Sequence, residues 1–180
     1  MADSRAPSEP GPPGSGSRGS GSRGSGSRGS AESLVESGAV TVFLLGDQPY
    51  GMAVSATREI VAVENLIDVP RAPSPVLGLF PLRGGAIALV DTAAILGLDV
   101  ETSTKRALVV VRGDTPLCGI TVDTVLGVVR LESLELTPAE PGRETGPMLG
   151  FLTMPDGRII TLLDTDAVLR RIEALAANAN

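Results

Sequence analysis

The sequence predicts a mainly β domain, folded as small barrels or a sandwich from two related halves. Short apolar runs rich in Val, Ile and Leu recur at regular spacing between turn residues, which is typical of small all-β architectures. The second half of the folded region also repeats the residue pattern of the first at a spacing of about seventy residues. We therefore expect a tandem duplication in one domain.

The first 38 residues are expected to stand apart from this domain. They are rich in Gly, Ser, Pro and Arg, contain a repeated Ser-Arg-Gly-Ser-Gly unit, and have too few apolar side chains to offset the entropy of ordering. We predict a disordered arm over residues 1–38 and a folded domain over residues 39–180. We interpret this arm as a flexible, solubilising linker.

The duplication is visible in two pairs of segments. Both segments of the first pair begin with Gly-Asp-x-Pro and both have a Leu and a Pro near their ends. Their alignment matches Ile60 of the first segment with Val128 of the second. In the second pair an apolar run leads to an Asp-Thr step. The matched segments are 46–70 with 113–138, and 76–96 with 148–169. The pseudo-repeats cover about residues 40–100 and 105–172.

Each repeat gives the same order of elements. A β-branched run, residues 40–45 or 107–111, leads through the Gly-Asp-x-Pro turn to a second run and a third. A Pro-bounded loop and two further strands follow. The last runs, residues 84–90 and 157–163, are almost wholly apolar, so we expect both of their faces to be covered and the two halves to pack together.

A helix is predicted after each of these last runs. Asp91 and Asp164 precede helix-forming residues, and an aspartate in that position accepts hydrogen bonds from the free amides of the first turn. Gly97 should end the first helix early, whereas the C-terminal helix continues with apolar residues at helical spacing.

Composition and charge exclude several functions. The formal net charge is −6, and because residues 1–30 hold four arginines against two acids, residues 31–180 carry −8. An acidic domain with three Phe, one Tyr and no Trp lacks the basic surface and stacking platforms of a nucleic-acid-binding protein. The chain shows no signal-like apolar region and no run long enough to span a membrane, so we expect a cytoplasmic protein without direct membrane insertion.

Catalytic and metal-binding patterns are equally scarce. The chain has no histidine and a single cysteine, Cys118. These counts exclude a His-based catalytic triad and a set of zinc ligands. We expect Cys118 to be a small buried residue of a protein in a reducing compartment. We therefore expect no enzyme, no cofactor and no metal. One alternative is an aspartic-protease-like enzyme, suggested by the twin Asp-Thr steps, although Ala93 and Asp166 stand where that motif needs glycine.

The chain resembles the CheW-like adaptor family of bacterial chemosensory systems over residues 40–172. The most specific shared pieces are Tyr50-Gly51, Glu59-Ile60, Val122-Asp123 and a Pro-x-x-Pro run that ends at Arg83-Gly84. The resemblance implies two tandem five-stranded SH3-like β-barrels packed around a shared apolar seam. It also implies a non-catalytic scaffold that joins the cytoplasmic tip of a chemoreceptor to a CheA-type histidine kinase, recruited to membrane-associated receptor arrays.

The resemblance further implies a partner-binding site near the groove between the barrels. Its expected residues are Arg83, Glu59, Thr57, Gly78, Gly84 and Ile60. An arginine fork can pair with a partner carboxylate, and Gly84 would allow close backbone approach. An internal pair between Arg83 and Glu59 is a second, compatible interpretation.

The chain also departs from the family pattern. Pro81 replaces the favoured Asn, Ala88 replaces a Pro, and Thr57 stands at a usually aliphatic position. These departures leave open a divergent CheW-like module that binds a receptor without a kinase.

Overall fold

The computed structural model describes Met1, Leu34 and residues 36–139 and 146–178. Most of the predicted arm lies outside the described residues, but Leu34 is helical and only 3% exposed. It packs with Val40 and Leu152 in one hydrophobic cluster. The core therefore begins before the expected end of the arm at residue 38, because the apolar side chain of Leu34 stabilises the fold when it is buried against these residues.

The strands follow the predicted order. They are β1 (Ala39–Leu45), β2 (Gln48–Ala53), β3 (Thr57–Ala62), β4 (Val76–Leu82), β5 (Gly85–Val90), β6 (Arg106–Arg112), β7 (Thr115–Thr121), β8 (Thr124–Arg130), β9 (Glu135–Pro138), β10 (Met148–Thr153) and β11 (Ile159–Leu163). Helix α1 (Thr92–Leu96) follows β5 and helix α2 (Thr165–Asn178) follows β11. Short 3-10 turns, Val54–Ala56 and Leu131–Ser133, follow β2 and β8.

The strands build two mixed sheets. Sheet A has the order β8-β1-β2-β11-β10-β9, and sheet B has the order β3-β6-β7-β5-β4. The mainly β architecture of two barrels is thus confirmed. Sheet A has six strands instead of the expected five because β9 pairs with β10, whereas the equivalent segment of the first repeat forms only a single bridge between Ile67 and Leu79.

The two repeats exchange their first hairpins. The hairpin of β1 and β2 belongs to the first repeat but lies in sheet A between β8 and β11 of the second. The hairpin of β6 and β7 lies in sheet B between β3 and β5 of the first repeat. Packing of the two halves was expected, but each sheet in fact contains strands from both, so neither repeat builds a sheet by itself.

Parallel strand pairs join each exchanged hairpin to its sheet. Strand β2 runs parallel to β11, with Leu162 opposite Gly51, and β5 runs parallel to β7, with Leu89 opposite Gly119. The two glycines occupy aligned positions of the repeats. A Cβ atom on Gly119 would lie 2.7 Å from the Phe80 ring, so glycine is required where that ring rests on the strand.

The main hydrophobic core lies between the sheets, in agreement with the predicted apolar seam. It draws side chains from both repeats and from the C-terminal helix, including Phe43, Met52, Leu108, Ile120, Leu163 and Val168. Smaller clusters fill the two barrels: Val42 and Leu162 belong to the one in sheet A, and Phe80 and Leu89 to the one in sheet B. Burial of this shared seam fixes the sheets against each other.

Both predicted helix caps are confirmed. The Asp91 carboxylate accepts hydrogen bonds from the amides of Ala93 and Ala94, at 2.9 and 3.3 Å. The Asp164 carboxylate accepts from the amide of Ala167 at 2.8 Å. Gly97 ends α1 in the left-handed conformation, with φ of 70°. Within the described residues, no helix is long and apolar enough to cross a membrane.

Candidate partner-binding site

Arg83 lies at the tip of the hairpin between β4 and β5. Leu82 and Gly85 pair across the hairpin, so Arg83 and Gly84 form a two-residue loop. Both loop residues have positive φ, 47° and 83°, as a type I′ turn requires. Gly84 adopts a positive φ without steric cost at the second position. Arg83 occupies the first position, and its side chain extends from the end of the hairpin.

Glu59 lies on β3 and faces this hairpin. A β-bulge between Thr57 and Ile60 shifts the register against β6 next to Glu59. The Arg83 guanidinium donates from Nε to Glu59 Oε1 at 2.8 Å and from Nη2 to Oε2 at 3.0 Å. The Arg83 side chain is 67% exposed and that of Glu59 is 28% exposed. The internal pair is thus present and bidentate, and its guanidinium remains accessible to a partner.

The pair shifts the pKa of both groups. The hydrogen bond from Arg83, together with the positive charges of Arg83 and Arg58, lowers the pKa of Glu59, against a smaller opposing effect of partial desolvation. The same hydrogen bond raises the pKa of Arg83. Both groups therefore stay charged throughout the physiological range.

A stability measurement against pH can test this pair. Because the pKa of Glu59 in the folded chain lies below its ordinary value of 4.5, the pair stabilises the fold above that pH. Its contribution is lost as pH falls through the lowered pKa. We expect the stability difference between the wild type and Glu59→Gln, measured by urea unfolding, to shrink as the pH falls from about 6 through the lowered pKa. In an Arg83→Gln background the same comparison should show a smaller trend, and an equal trend there would contradict the assignment.

The other expected site residues lie in different surroundings. Gly84 shares the loop with Arg83. The Thr57 hydroxyl is 2.8 Å from that of Thr41 and donates to the Val54 carbonyl at 3.3 Å, so it serves the local fold. A Cβ atom on Gly78 would lie 2.7 Å from the Ile67 carbonyl oxygen, which gives this glycine a packing role. Ile60 is 50% exposed.

A second ion pair borders the site and was missed in the sequence. Arg58 donates to Asp114 at 2.8 Å, and Asp114 lies in the turn between β6 and β7. The Asp114 side chain is fully exposed, whereas that of Arg58 is 31% exposed. The charged surface therefore combines β3 of the first repeat with a turn of the second. The aligned Gly-Asp-x-Pro turns marked Asp114 as a turn residue, but only the hairpin exchange places it beside β3.

An apolar groove lies between sheet B and helix α2. Its volume is about 260 Å³. It is lined by Val76, Ala88, Val90, Leu117, Cys118, Leu169 and Ile172, with Arg112 and Glu173 as its charged members. Both repeats contribute to it, but none of the six residues predicted to bind a partner lines it. A groove of this volume and lining can receive an apolar side chain from a helix of a partner.

The remaining candidates for chemistry have structural roles. Burial raises the pKa of the Cys118 thiol to about 11, and the residue is 5% exposed, as expected for a buried small side chain. The Asp123 carboxylate accepts from the amides of Gly46 at 2.7 Å and Ser103 at 2.8 Å, which ties a turn of the first repeat to the linker between the repeats. Among the described residues, no three His, Cys, Asp or Glu side chains lie close enough to hold a metal ion.

The fold defines a class of domains in which two β-barrels are interlocked by exchanged hairpins. A family model described as the CheW-like domain matches residues 39–173, and the chain belongs to this family. The resemblance noted in the sequence is thereby confirmed.

Two relatives support this membership, and a solved structure shares the fold. The chain is 29% identical over 133 residues to the chemotaxis protein CheW of Thermotoga maritima, covering 74% of this chain and 88% of that protein. It is 29% identical over 152 residues to the chemotaxis protein CheW of Rhizobium meliloti, covering 82% and 97%. The crystal structure of the scaffolding protein TtCheW from Thermoanaerobacter tengcongensis shares the fold, with a TM-score of 0.60, 23% identity and coverage of 69% and 87%.

Proposed function

We propose that this chain is a non-catalytic scaffold that couples chemoreceptors to a CheA-type histidine kinase. The match to the CheW-like domain over residues 39–173 carries this proposal. The curated relatives are named chemotaxis proteins and the structural neighbour is titled a scaffolding protein. Binding to receptors would place the chain in the cytoplasm at membrane-associated arrays.

The proposed receptor contact uses the Arg83 and Glu59 pair at the tip of the β4–β5 hairpin, and the groove beside α2, which Val76 and Val90 line at the other end of the same hairpin. A receptor tip is a helical hairpin, which extends along its axis, so apolar side chains can enter the groove while acids further along meet the exposed guanidinium. Only one edge of Arg83 is taken by Glu59, through Nε and Nη2, which leaves Nη1 for a partner. The proposed kinase contact uses a barrel face, since homologous barrels offer matching surfaces.

The structure does not support the aspartic-protease alternative. Asp91 and Asp164 both accept hydrogen bonds from amides of the helices that follow them. Capping accounts for the twin Asp-Thr steps and for their recurrence in the two repeats.

Reconstitution tests the proposal directly. Receptor-containing membranes, a purified CheA-type kinase and this chain are sedimented together, and kinase autophosphorylation is measured in the pellet. We expect the chain to sediment with the membranes, to bring the kinase with it and to raise its activity, because a scaffold binds both partners at once. Sedimentation of the chain without the kinase would indicate a module that binds receptors alone. Failure to bind receptors would overturn the proposal.

A further inference from the structure

The two sheets carry equivalent β-bulges with different side chains. In sheet B the bulge on β3 presents Glu59, which the hairpin residue Arg83 binds. In sheet A the pairing of β1 with β8 shifts between Val42 and Phe43, next to Gly127. The repeat that places Ile60 over Val128 also places Glu59 over Gly127. Sheet A therefore has no carboxylate at the position where sheet B has one.

A groove lies at this position in sheet A. A Cβ atom on Gly127 would meet nothing within 4 Å. The groove has a volume of about 290 Å³ and is lined in part by Val42, Val129, Met154 and Ile160. At its rim Leu126 is 50% exposed and Val128 is 61% exposed. Ligand pockets for whole small molecules begin at roughly 300 Å³, so this volume suits a single apolar side chain.

Arg158 supplies the one charge among the described residues that line this groove. It lies at the hairpin between β10 and β11, the counterpart of the hairpin that carries Arg83. Its Nε donates to Asp156 at 2.7 Å, which leaves the two Nη groups for another acceptor. The side chain is 63% exposed. A guanidinium thus borders an apolar groove in which Gly127, next to the bulge, contributes no side chain.

A second groove in sheet A, next to the first, restricts where the carboxylate of a partner can bind. It shares Pro49, Leu126 and Arg158 with the first groove and continues toward Asp47. The negative charge of Asp47 repels the carboxylate of a partner at that end of the groove. A partner carboxylate is therefore expected to bind on the side of Arg158 that faces Gly127.

We propose that this sheet A groove binds an internal segment of a partner protein that carries an apolar side chain close to a glutamate. The apolar side chain fills the groove and the glutamate pairs with Arg158. The partner carboxylate thereby binds the Nη groups of Arg158, while Asp156 keeps its bond to Nε. This surface is distinct from the one proposed to meet the receptor.

A matched pair of peptides tests the proposal on the full chain. The probes are acetyl-Gly-Leu-Gly-Glu-Gly-amide and its glutamine analogue, in which the side chains of Leu and the polar residue lie on one face of an extended backbone. In amide NMR titrations we expect both to shift Gly127 and Met154, with the glutamate peptide binding roughly threefold to fivefold more tightly, as an exposed ion pair allows.

Two variants test whether Arg158 causes the preference for the glutamate peptide. Arg158→Gln should equalise the two affinities, whereas Arg130→Gln, an exposed arginine at the end of β8, should leave the preference unchanged. Absence of saturable shifts at Gly127 and Met154, equal binding of the two peptides by the wild type, or a preference that survives Arg158→Gln would each overturn the proposal.

Discussion

Replacing Gly119 by valine is expected to lower the free energy of unfolding by about 3 kcal/mol, as overpacking of a closed core does. A Cβ atom at this position would lie 2.7 and 2.8 Å from two carbons of the Phe80 ring and 3.0 Å from the Ala107 Cβ. Phe80 is 1% exposed and Ala107 is fully buried, so neither can move aside. Urea unfolding monitored by circular dichroism measures the loss.

Two further variants show whether the Phe80 contact is the cause. Gly85→Val is the matched control, since a Cβ atom there meets only the Leu82 carbonyl oxygen at 3.7 Å, and its stability should stay close to that of the wild type. Phe80→Leu shortens the opposing side chain, so its effect should be less than additive with Gly119→Val. Strict additivity, or an equal loss in Gly85→Val, would contradict this explanation.

The second large effect is expected at Arg83. If its guanidinium meets the receptor, Arg83→Ala should weaken binding to the receptor tip roughly 10-fold to 100-fold, the range for a charge-assisted hydrogen bond. Arg83→Lys should fold normally and also bind poorly, because lysine keeps the charge but cannot form the two-pronged contact. Arg171→Ala, which removes an exposed charge on α2, should bind as the wild type does. Affinities are measured by calorimetry on folded protein.

A purely structural role of the Arg83 and Glu59 pair would give different results in the same experiments. A purely internal role for the pair predicts that Arg83→Ala unfolds at lower urea concentration but keeps its affinity per folded molecule. Exchanging the two charges in the double variant Glu59→Arg, Arg83→Glu would then restore stability. Normal receptor affinity in both single variants at Arg83 would remove this residue from the proposed contact.

The sequence predicts the elements well but not their assembly. The aligned Asp91 and Asp164 were predicted as caps because capping depends on neighbouring residues only. The exchange of hairpins depends on which half supplies a neighbouring strand, and both repeats offer similar apolar patterns, so local sequence cannot distinguish the two arrangements. Leu34 was assigned to the arm for a related reason: its burial depends on strands far along the chain.

The candidate site was predicted in part. The pairing of Arg83 with Glu59 follows from residues that the family resemblance marked and that the structure brings within 2.8 Å. Gly78 and Thr57 were marked in the same way, yet both have contacts that serve the local fold. A motif shows that a position is constrained, but only the surrounding structure shows whether the constraint comes from packing or from a partner.

The exchanged hairpins also determine when the chain can fold as it leaves the ribosome. Sheet B lacks its middle strands β6 and β7 until residue 121 has been made. In sheet A the strands β1 and β2 are made first, but β1 gains its outer neighbour β8 only at residue 130 and β2 gains β11 only at residue 163. Until then, the outer edges of this hairpin are open to wrong pairing. Sheet B can therefore be completed first during synthesis, and the earliest strands of the chain are among the last to be enclosed.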